Sequence, residues 1–305
     1  MIRVTEAAAL ASARWLGKGD SDAAQTAATE AMQTVLSQLD FKGKIIIGCG
    51  NKDNSEYLYC GQIIGSGTEP VVDIAIDPLE SVNSVAYGRP NAMAVVAITD
   101  KDCLLNFPEK TYMEKIAVGP DAVGKIDINR SLEDNIRSVA EAKNYSLSDL
   151  TIAILDRERH LDIIEQIRSL GPRLHLIPDG DVAAAIATAL PGTGIDMLVG
   201  SGGAVEGVMA AAAMRCLGGE IQGKIKDNKI KHEFSASKDV VYNTGDMASG
   251  ENIMFAATGI TDGDLLNGVR YRKDGATTNS LVLRAISQTR RFVVTEHYFD
   301  NQPQY

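Results

Sequence analysis

Positive charge is scarce in this sequence. Its 305 residues carry 30 Lys and Arg against 40 Asp and Glu, a net charge of −10. A protein that holds nucleic acid by counterion release needs the opposite balance, so no nucleic-acid partner is expected. Any phosphate ester it handles must meet positive charge gathered locally, from a metal or from clustered Arg and Lys. Cysteine is also sparse. Cys49, Cys60, Cys103 and Cys216 show no CxxC spacing, and no signal peptide precedes Val4. Reduced thiols in a cytoplasmic protein are the expectation. No apolar run reaches the ~20 residues of a membrane span, so no membrane partner is expected, and no internal repeat or low-complexity tract is visible. What is present, 45% hydrophobic and 23% charged residues, suits a globular chain long enough for one large or two medium cores.

Hydrophobic periodicity and helix-end signals divide the chain into two patterns. Thr5 reads as the cap of an Ala-rich helix that ends at Gly17, and Asp20 opens a second helix through Met32 and Val35. Strands follow at 44–48, 71–76 and 92–98, with a strand pair over 104–118 around Pro108. From Ser131 onward, helices alternate with strands through Leu217, which predicts a layered α/β half. A charged segment at 224–231, a strand at 253–257 and a hairpin over 280–298 complete the chain. These patterns predict an N-terminal α+β domain over 1–128 and a C-terminal α/β domain over 129–305.

The chemistry-bearing residues sit mainly where strands end. Val72-Asp73-Ile74-Ala75-Ile76 runs into Asp77-Pro78-Leu79-Glu80, delivering two carboxylates to one point. Such a pair suits Mg²⁺ or Mn²⁺ acting on phosphate. The plainer alternative is a capped turn with two solvated acids. Gly48-Cys49-Gly50-Asn51-Lys52-Asp53 also follows a strand; its only acid is Asp53, and Cys49 is too soft a ligand for Mg²⁺. Tyr112, Arg157 and Arg159 offer donors for phosphate, while Asp179 and Asp181 offer acceptors for sugar hydroxyls. Taken singly, each reads more readily as a solvated surface group. Gly202-Gly203 precedes a helix whose free N–H groups favour an anion, with Glu206 in its first turn.

Together these segments resemble a known family. Trp15-Leu16-Gly17-Lys18-Gly19-Asp20, Asp77-Pro78-Leu79-Glu80, Tyr112-Met113-Glu114-Lys115, Pro178-Asp179-Gly180-Asp181, Gly202-Gly203-Ala204-Val205-Glu206-Gly207 and Ala256-Ala257-Thr258-Gly259-Ile260-Thr261-Asp262-Gly263-Asp264 are similar to class II fructose-1,6-bisphosphatase, in order and over nearly the whole chain. The resemblance implies the layered α/β/α/β/α fold of the lithium-sensitive sugar and inositol phosphatases, and a homo-oligomer, dimer or tetramer. It implies Asp77, Glu80 and Glu206 as metal ligands. It implies Tyr112, Arg157, Arg159, Asp179, Asp181, Gly202 and Gly203 as the sugar-phosphate cradle, and a phosphorylated sugar as partner. The departures fall on the metal side. Gln25 replaces a metal-binding aspartate, Cys49 and Asn51 replace two glutamates, and Ser81-Val82 replaces a Gly-Thr pair whose threonine helps activate water.

Phosphate-ester hydrolysis is so slow uncatalysed that losing these groups together should leave little of it. The sequence therefore predicts a sugar-phosphate binder whose hydrolysis is weak, altered or absent, with binding of Mg²⁺ or Mn²⁺ weakened. Asp53, Asp77 and Glu80 are the remaining candidate acid/base groups. Two alternatives stay open: an active fructose-1,6-/sedoheptulose-1,7-bisphosphatase, and a scaffold repurposed for a non-hydrolytic reaction on a sugar or sugar phosphate.

Overall fold

Asp20 starts the second helix as its sequence demands: its side chain accepts the Ala23 N–H, satisfying one of the donors orphaned at a helix N-terminus. The computed structural model describes residues 1–53, 55–108, 110–226 and 240–299. In chain order the first elements are α1 (Ile2–Ala13), α2 (Ser21–Leu36), β1 (Lys42–Ile47), β2 (Ile63–Ile64), β3 (Val71–Glu80), α3 (Val82–Ala86) and β4 (Met93–Asp100). Next come β5 (Tyr112–Val118), α4 (Leu132–Lys143), β6 (Thr151–Leu155), α5 (Leu161–Leu170), β7 (Arg173–Ile177) and α6 (Asp181–Thr188). They are followed by β8 (Met197–Gly203), α7 (Ala204–Leu217), β9 (Glu220–Ile225), β10 (Val241–Asn243) and α8 (Thr244–Met247). The last are β11 (Met254–Gly259), β12 (Arg270–Arg272), β13 (Gly275–Arg284) and β14 (Thr289–Tyr298).

Two compact units result: residues 1–104 with the described residues from 250 onward, and the described residues of 105–249. The first holds a sheet ordered β12-β13-β11-β4-β3-β1-β2, with β14 also on β13. Only β1 and β3 run parallel. Val72, Ile74 and Ile76 of β3 alternate with polar or small neighbours, so one face of the sheet turns apolar. That face packs with Val96 and Ile98 of β4, Val4, Ala8 and Ala9 of α1, and Met32 and Leu36 of α2. Truncating one such buried Ile or Leu to Ala costs about 2–5 kcal/mol.

The second unit holds a sheet ordered β10-β9-β5-β8-β6-β7, in which β6 runs parallel to β7 and β8 while β5 runs antiparallel to β8 and β9. Ile152 and Ile154 of β6 bury against Ile136 and Val139 of α4 and Ile164 and Ile167 of α5. On β5 the alternate residue Met113 meets Gly207 of α7, so helices lie on both faces of this sheet. This is the α/β architecture the sequence implies, built as two mixed sheets.

Several boundaries differ from the sequence expectations for local reasons. α1 begins at Ile2, and Thr5 lies inside it rather than at its cap. The Thr5 hydroxyl donates to the Ile2 carbonyl at 3.0 Å and accepts from Thr258 at 2.7 Å, which fixes it toward the sheet. Over 104–118 only Tyr112–Val118 is a strand; the Thr111 N–H turns back to the Pro108 carbonyl, so no hairpin partner forms. The domain break expected at 128/129 follows chain order, whereas pairing does not. β11 returns to β4, with Met254 opposite Ile98, which carries β11–β14 into the first unit, and β5 belongs to the second. Of the charged segment at 224–231, residues beyond 226 lie outside the described residues.

Candidate active site

In the first unit the candidate site is built at the end of β3. Its ladder with β4 is regular to the pair Asp77–Val95, then slips before Glu80–Met93. A bulge of this kind bends the strand and re-aims its side chains. Asp77 Oδ1 accepts the Leu79 N–H at 3.0 Å, and Glu80 is buried. Ser81 then adopts φ +69°, a left-handed conformation that glycine takes freely and that costs other residues about 1–2 kcal/mol. Its hydroxyl is buried with no hydrogen-bond partner among the described residues. Val82 follows as the first residue of α3.

The Gln25 side chain from α2 reaches the loop after β1. Its amide nitrogen lies 3.4 Å from Thr29 Oγ1 and 3.9 Å from Cys49 Sγ, and Thr29 Oγ1 lies 3.8 Å from that sulfur. Burial, and then the Asp77 carboxylate, push the Cys49 thiol up to about 12 against smaller opposing help from Thr29 and Gln25. At neutral pH the thiol therefore keeps its proton. Asp53 is exposed, and its N–H closes a turn onto Asn51 Oδ1 at 2.9 Å.

The donor set decides how a divalent metal would fit. Mg²⁺ and Mn²⁺ want hard, charged oxygens. Asp77 and Glu80 supply two from one strand end, whereas a protonated thiol beside a carboxamide supplies none. The residues thus fit one cation at Asp77 and Glu80 and do not fit another at Gln25 and Cys49. Among the described residues, no group of three or more His, Cys, Asp and Glu is placed to hold a metal.

In the second unit the cradle residues form two clusters across β5 and β8. Tyr112 pairs with Gly203 and Lys115 with Gly200 in an antiparallel register. One cluster is centred on Lys115, which is buried. Its ammonium meets Asp181 Oδ2 at 2.5 Å and donates to the Gly203 carbonyl at 3.0 Å. A Cβ at Gly202 would overlap the Asp181 carboxylate, and one at Gly203 would overlap that of Glu206, so a side chain at either position would displace an acid. Burial raises the Glu206 pKa, Lys115 opposes that rise, and Glu206 Oε2 has no hydrogen-bond partner among the described residues.

The other cluster is centred on Ser201. The Arg159 guanidinium donates to the Ser201 carbonyl at 2.8 and 3.2 Å and lies 5.5 Å over the Tyr112 ring. His160 is fully buried; its Nε2 accepts the Ser201 N–H at 2.9 Å, which leaves Nδ1 to donate to the Leu155 carbonyl at 2.8 Å. Burial lowers its pKa, which keeps the ring neutral. Arg157 lies 3.7 Å from Asp179, whose carboxyl is raised chiefly by burial, with Arg157 opposing. A cavity of about 210 Å³ opens beside Ser201, and its lining includes Lys115, Arg130 and Lys226 against one carboxylate, Glu114.

The structure thus brings Arg159 to Tyr112, Arg157 to Asp179, and Asp181 to Gly202. Asp77 and Glu80 belong to the first unit and Glu206 to the second. Sequence reasoning gave no role to Lys115, His160, Ser201 or Thr29. For Lys115 a signal existed: it shares a strand face with Met113 and Ala117, an apolar setting where a lysine requires an ion-pair partner.

Fold and site define a phosphatase-type α/β protein. The family model described as "Bacterial fructose-1,6-bisphosphatase, glpX-encoded" matches residues 1–297, and the chain belongs to that family. It is 44% identical to "Fructose-1,6-bisphosphatase 1 class 2" of Escherichia coli K12, over 98% of this chain and 94% of the relative. It is 42% identical to "D-fructose 1,6-bisphosphatase class 2/sedoheptulose 1,7-bisphosphatase" of Synechococcus sp. (strain JA-2-3B'a(2-13)), over 99% and 95%. These likenesses support the bisphosphatase alternative more than a loss of hydrolysis, on which they are silent. No helix among the described residues is long and apolar enough to cross a membrane.

Proposed function

We propose that this protein is a metal-assisted phosphoric monoester hydrolase acting on a sugar bisphosphate of the fructose 1,6- or sedoheptulose 1,7- type. The observation that carries the reading is the gathering of donors about Ser201 in a chain of net charge −10, with the Arg159 guanidinium 5.5 Å over the Tyr112 ring and Arg157 3.7 Å from Asp179. Membership of the family and the names of its relatives supply the substrate class. In this reading Arg157, Arg159 and Tyr112 donate to the ester phosphate, and Asp179 and Asp181 accept from sugar hydroxyls. Gly202 and Gly203 leave room for the approach. Asp77 and Glu80 would hold Mg²⁺ or Mn²⁺. When bound, such an ion polarises a phosphoryl oxygen and lowers the pKa of water. Asp53, exposed beside Asn51, serves as a solvent-side base.

A second reading is favoured by the protonated Cys49 thiol, bonded to Thr29 and Gln25 where the family resemblance places carboxylates. There the sugar phosphate binds and hydrolysis is weak, altered or absent. One experiment separates the two: phosphate release from both bisphosphates with Mg²⁺ or Mn²⁺, beside thermal shift with the same sugars. Release abolished by Asp77→Asn supports the first reading. A shift without release, removed by Arg159→Ala, supports the second. In that case the combined variant Gln25→Asp, Cys49→Glu, Asn51→Glu, Ser81→Gly, Val82→Thr should regain release, and a sugar recovered in altered form without free phosphate would mark a non-hydrolytic reaction. Neither release nor shift at millimolar sugar phosphate refutes both.

A further inference from the structure

β14 is a ten-residue strand that, among the described residues, pairs only with β13. Its two faces differ sharply. Thr295 and His297 turn toward α1 and α2 and line a cavity with Ala7, Leu10 and Val35. The alternate residues Arg290, Phe292, Val294, Glu296 and Tyr298 are exposed, with Phe292 58% and Val294 67% accessible. A long edge strand bearing an exposed Phe and Val is a template for another strand unless something covers it.

We infer that β14 pairs with β14 of a second copy of this chain, antiparallel, about a two-fold axis at Val293. The sequence of the strand is its own complement in that register. Arg290 falls opposite Glu296 of the other copy, Phe292 opposite Val294, and Val293 opposite itself. Opposite charges and an aromatic–β-branched pair therefore meet on the exposed face, the pairings that stabilise adjacent strands. A shift of two residues either way sets Arg290 against Val294 or Phe292 against Glu296. A shift of one residue turns exposed side chains against the buried face. Within one chain Arg290 makes no ion pair among the described residues, whereas Glu296 touches Arg272 at 3.6 Å on an exposed surface where such pairs are weak. A two-fold contact is isologous, so every complementary pair is made twice. The paired strands join two eight-stranded sheets edge to edge.

Sedimentation velocity on the full chain at micromolar concentration, with cysteine cross-linking, tests this surface and its register. The wild type should be at least dimeric. Val293→Cys should give a covalent dimer under mild oxidation, because directly opposed residues lie within disulfide reach. Phe292→Cys, which faces Val294, and the wild type with its four native cysteines should not. Arg290→Glu should raise the dimer dissociation constant roughly tenfold by setting like charges opposite each other twice, and Arg290→Glu with Glu296→Arg should restore it. All four positions are exposed or half-buried, so an unchanged melting temperature verifies folding. A monomeric wild type overturns the inference. So does an oligomer in which Val293→Cys links no more than Phe292→Cys, or in which charge reversal changes nothing.

Discussion

Replacing Lys115 with Met tests the electrostatic reading of the second unit most directly. The ammonium is 2.5 Å from Asp181, bonds the Gly203 carbonyl and opposes the raised pKa of Glu206, all in a nearly dry setting. Methionine keeps the volume of the stem and removes the charge. It leaves the Asp181 carboxylate buried without its partner, and breaking one side of a buried pair costs about 3–5 kcal/mol. At about 2–4 °C per kcal/mol for a domain of this size, the melting temperature should fall by roughly 10 °C. The loss should depend on pH, with a definite sign. The folded-state pKa of Glu206 lies above its ordinary value of 4.5, so in that window the native state holds a proton that the unfolded state has released. Stability then falls as pH rises. Without Lys115 the pKa rises further, so the variant's deficit against wild type should widen from pH 5 to pH 8. Urea unfolding at both pH values measures it. A deficit below about 1 kcal/mol at pH 8, or one equal at both pH values, would refute the argument. Adding Asp181→Asn to Lys115→Met should recover part of the loss, since a neutral amide needs no counter-charge.

Three further outcomes follow from the same geometry. Cys49, with its thiol at about 12, should alkylate with iodoacetamide far more slowly at pH 7.5 than an unperturbed thiol, and its rate should climb with pH beyond 9; mass spectrometry that finds Cys49 labelled first contradicts this. The pKa of His160 is lowered below its ordinary value of 6.5, so the unfolded state takes up a proton that the native ring refuses and stability should drop as pH falls through 6.5. An NMR titration placing His160 at or above 6.5 would overturn this sign. Ser81→Gly should stabilise by up to about 1 kcal/mol, because relief of the left-handed strain outweighs the added freedom of the unfolded chain; a loss of stability would show that the serine hydroxyl has a partner after all.

Local chemistry was legible from the residues and long-range pairing was not. Asp20 and Ser131 announced their helices because a cap is a contact three residues long. The α/β alternation after Ser131 showed because each strand and helix there has its own periodicity. The return of β11 to β4 spans more than 150 residues and leaves no local mark, so the sequence suggests a break at 128/129 while the compact units divide at other positions. Within the site, the arginines, acids and glycines were readable by residue type. The Lys115–Asp181 pair was hidden because its partners are adjacent only through the β5–β8 register and the start of α6.

The candidate clusters of the two units obey different electrostatic rules. In the second unit Lys115 pairs with Asp181 and opposes the burial-raised pKa of Glu206, so this cluster sets a fixed cation against its acids. At the end of β3 the balance is struck by removing charge instead. Gln25, a protonated Cys49 and Thr29 satisfy one another beside Asp77, which needs no metal to offset extra carboxylates. Ser81 nevertheless keeps the left-handed backbone that suits a glycine. A left-handed backbone that suits glycine beside neutral side chains is what the second reading expects of a scaffold changed only at its side chains. For that reason the five-residue reversion is the decisive chemical test. It restores charge to a frame whose one strained position already favours the residue being put back.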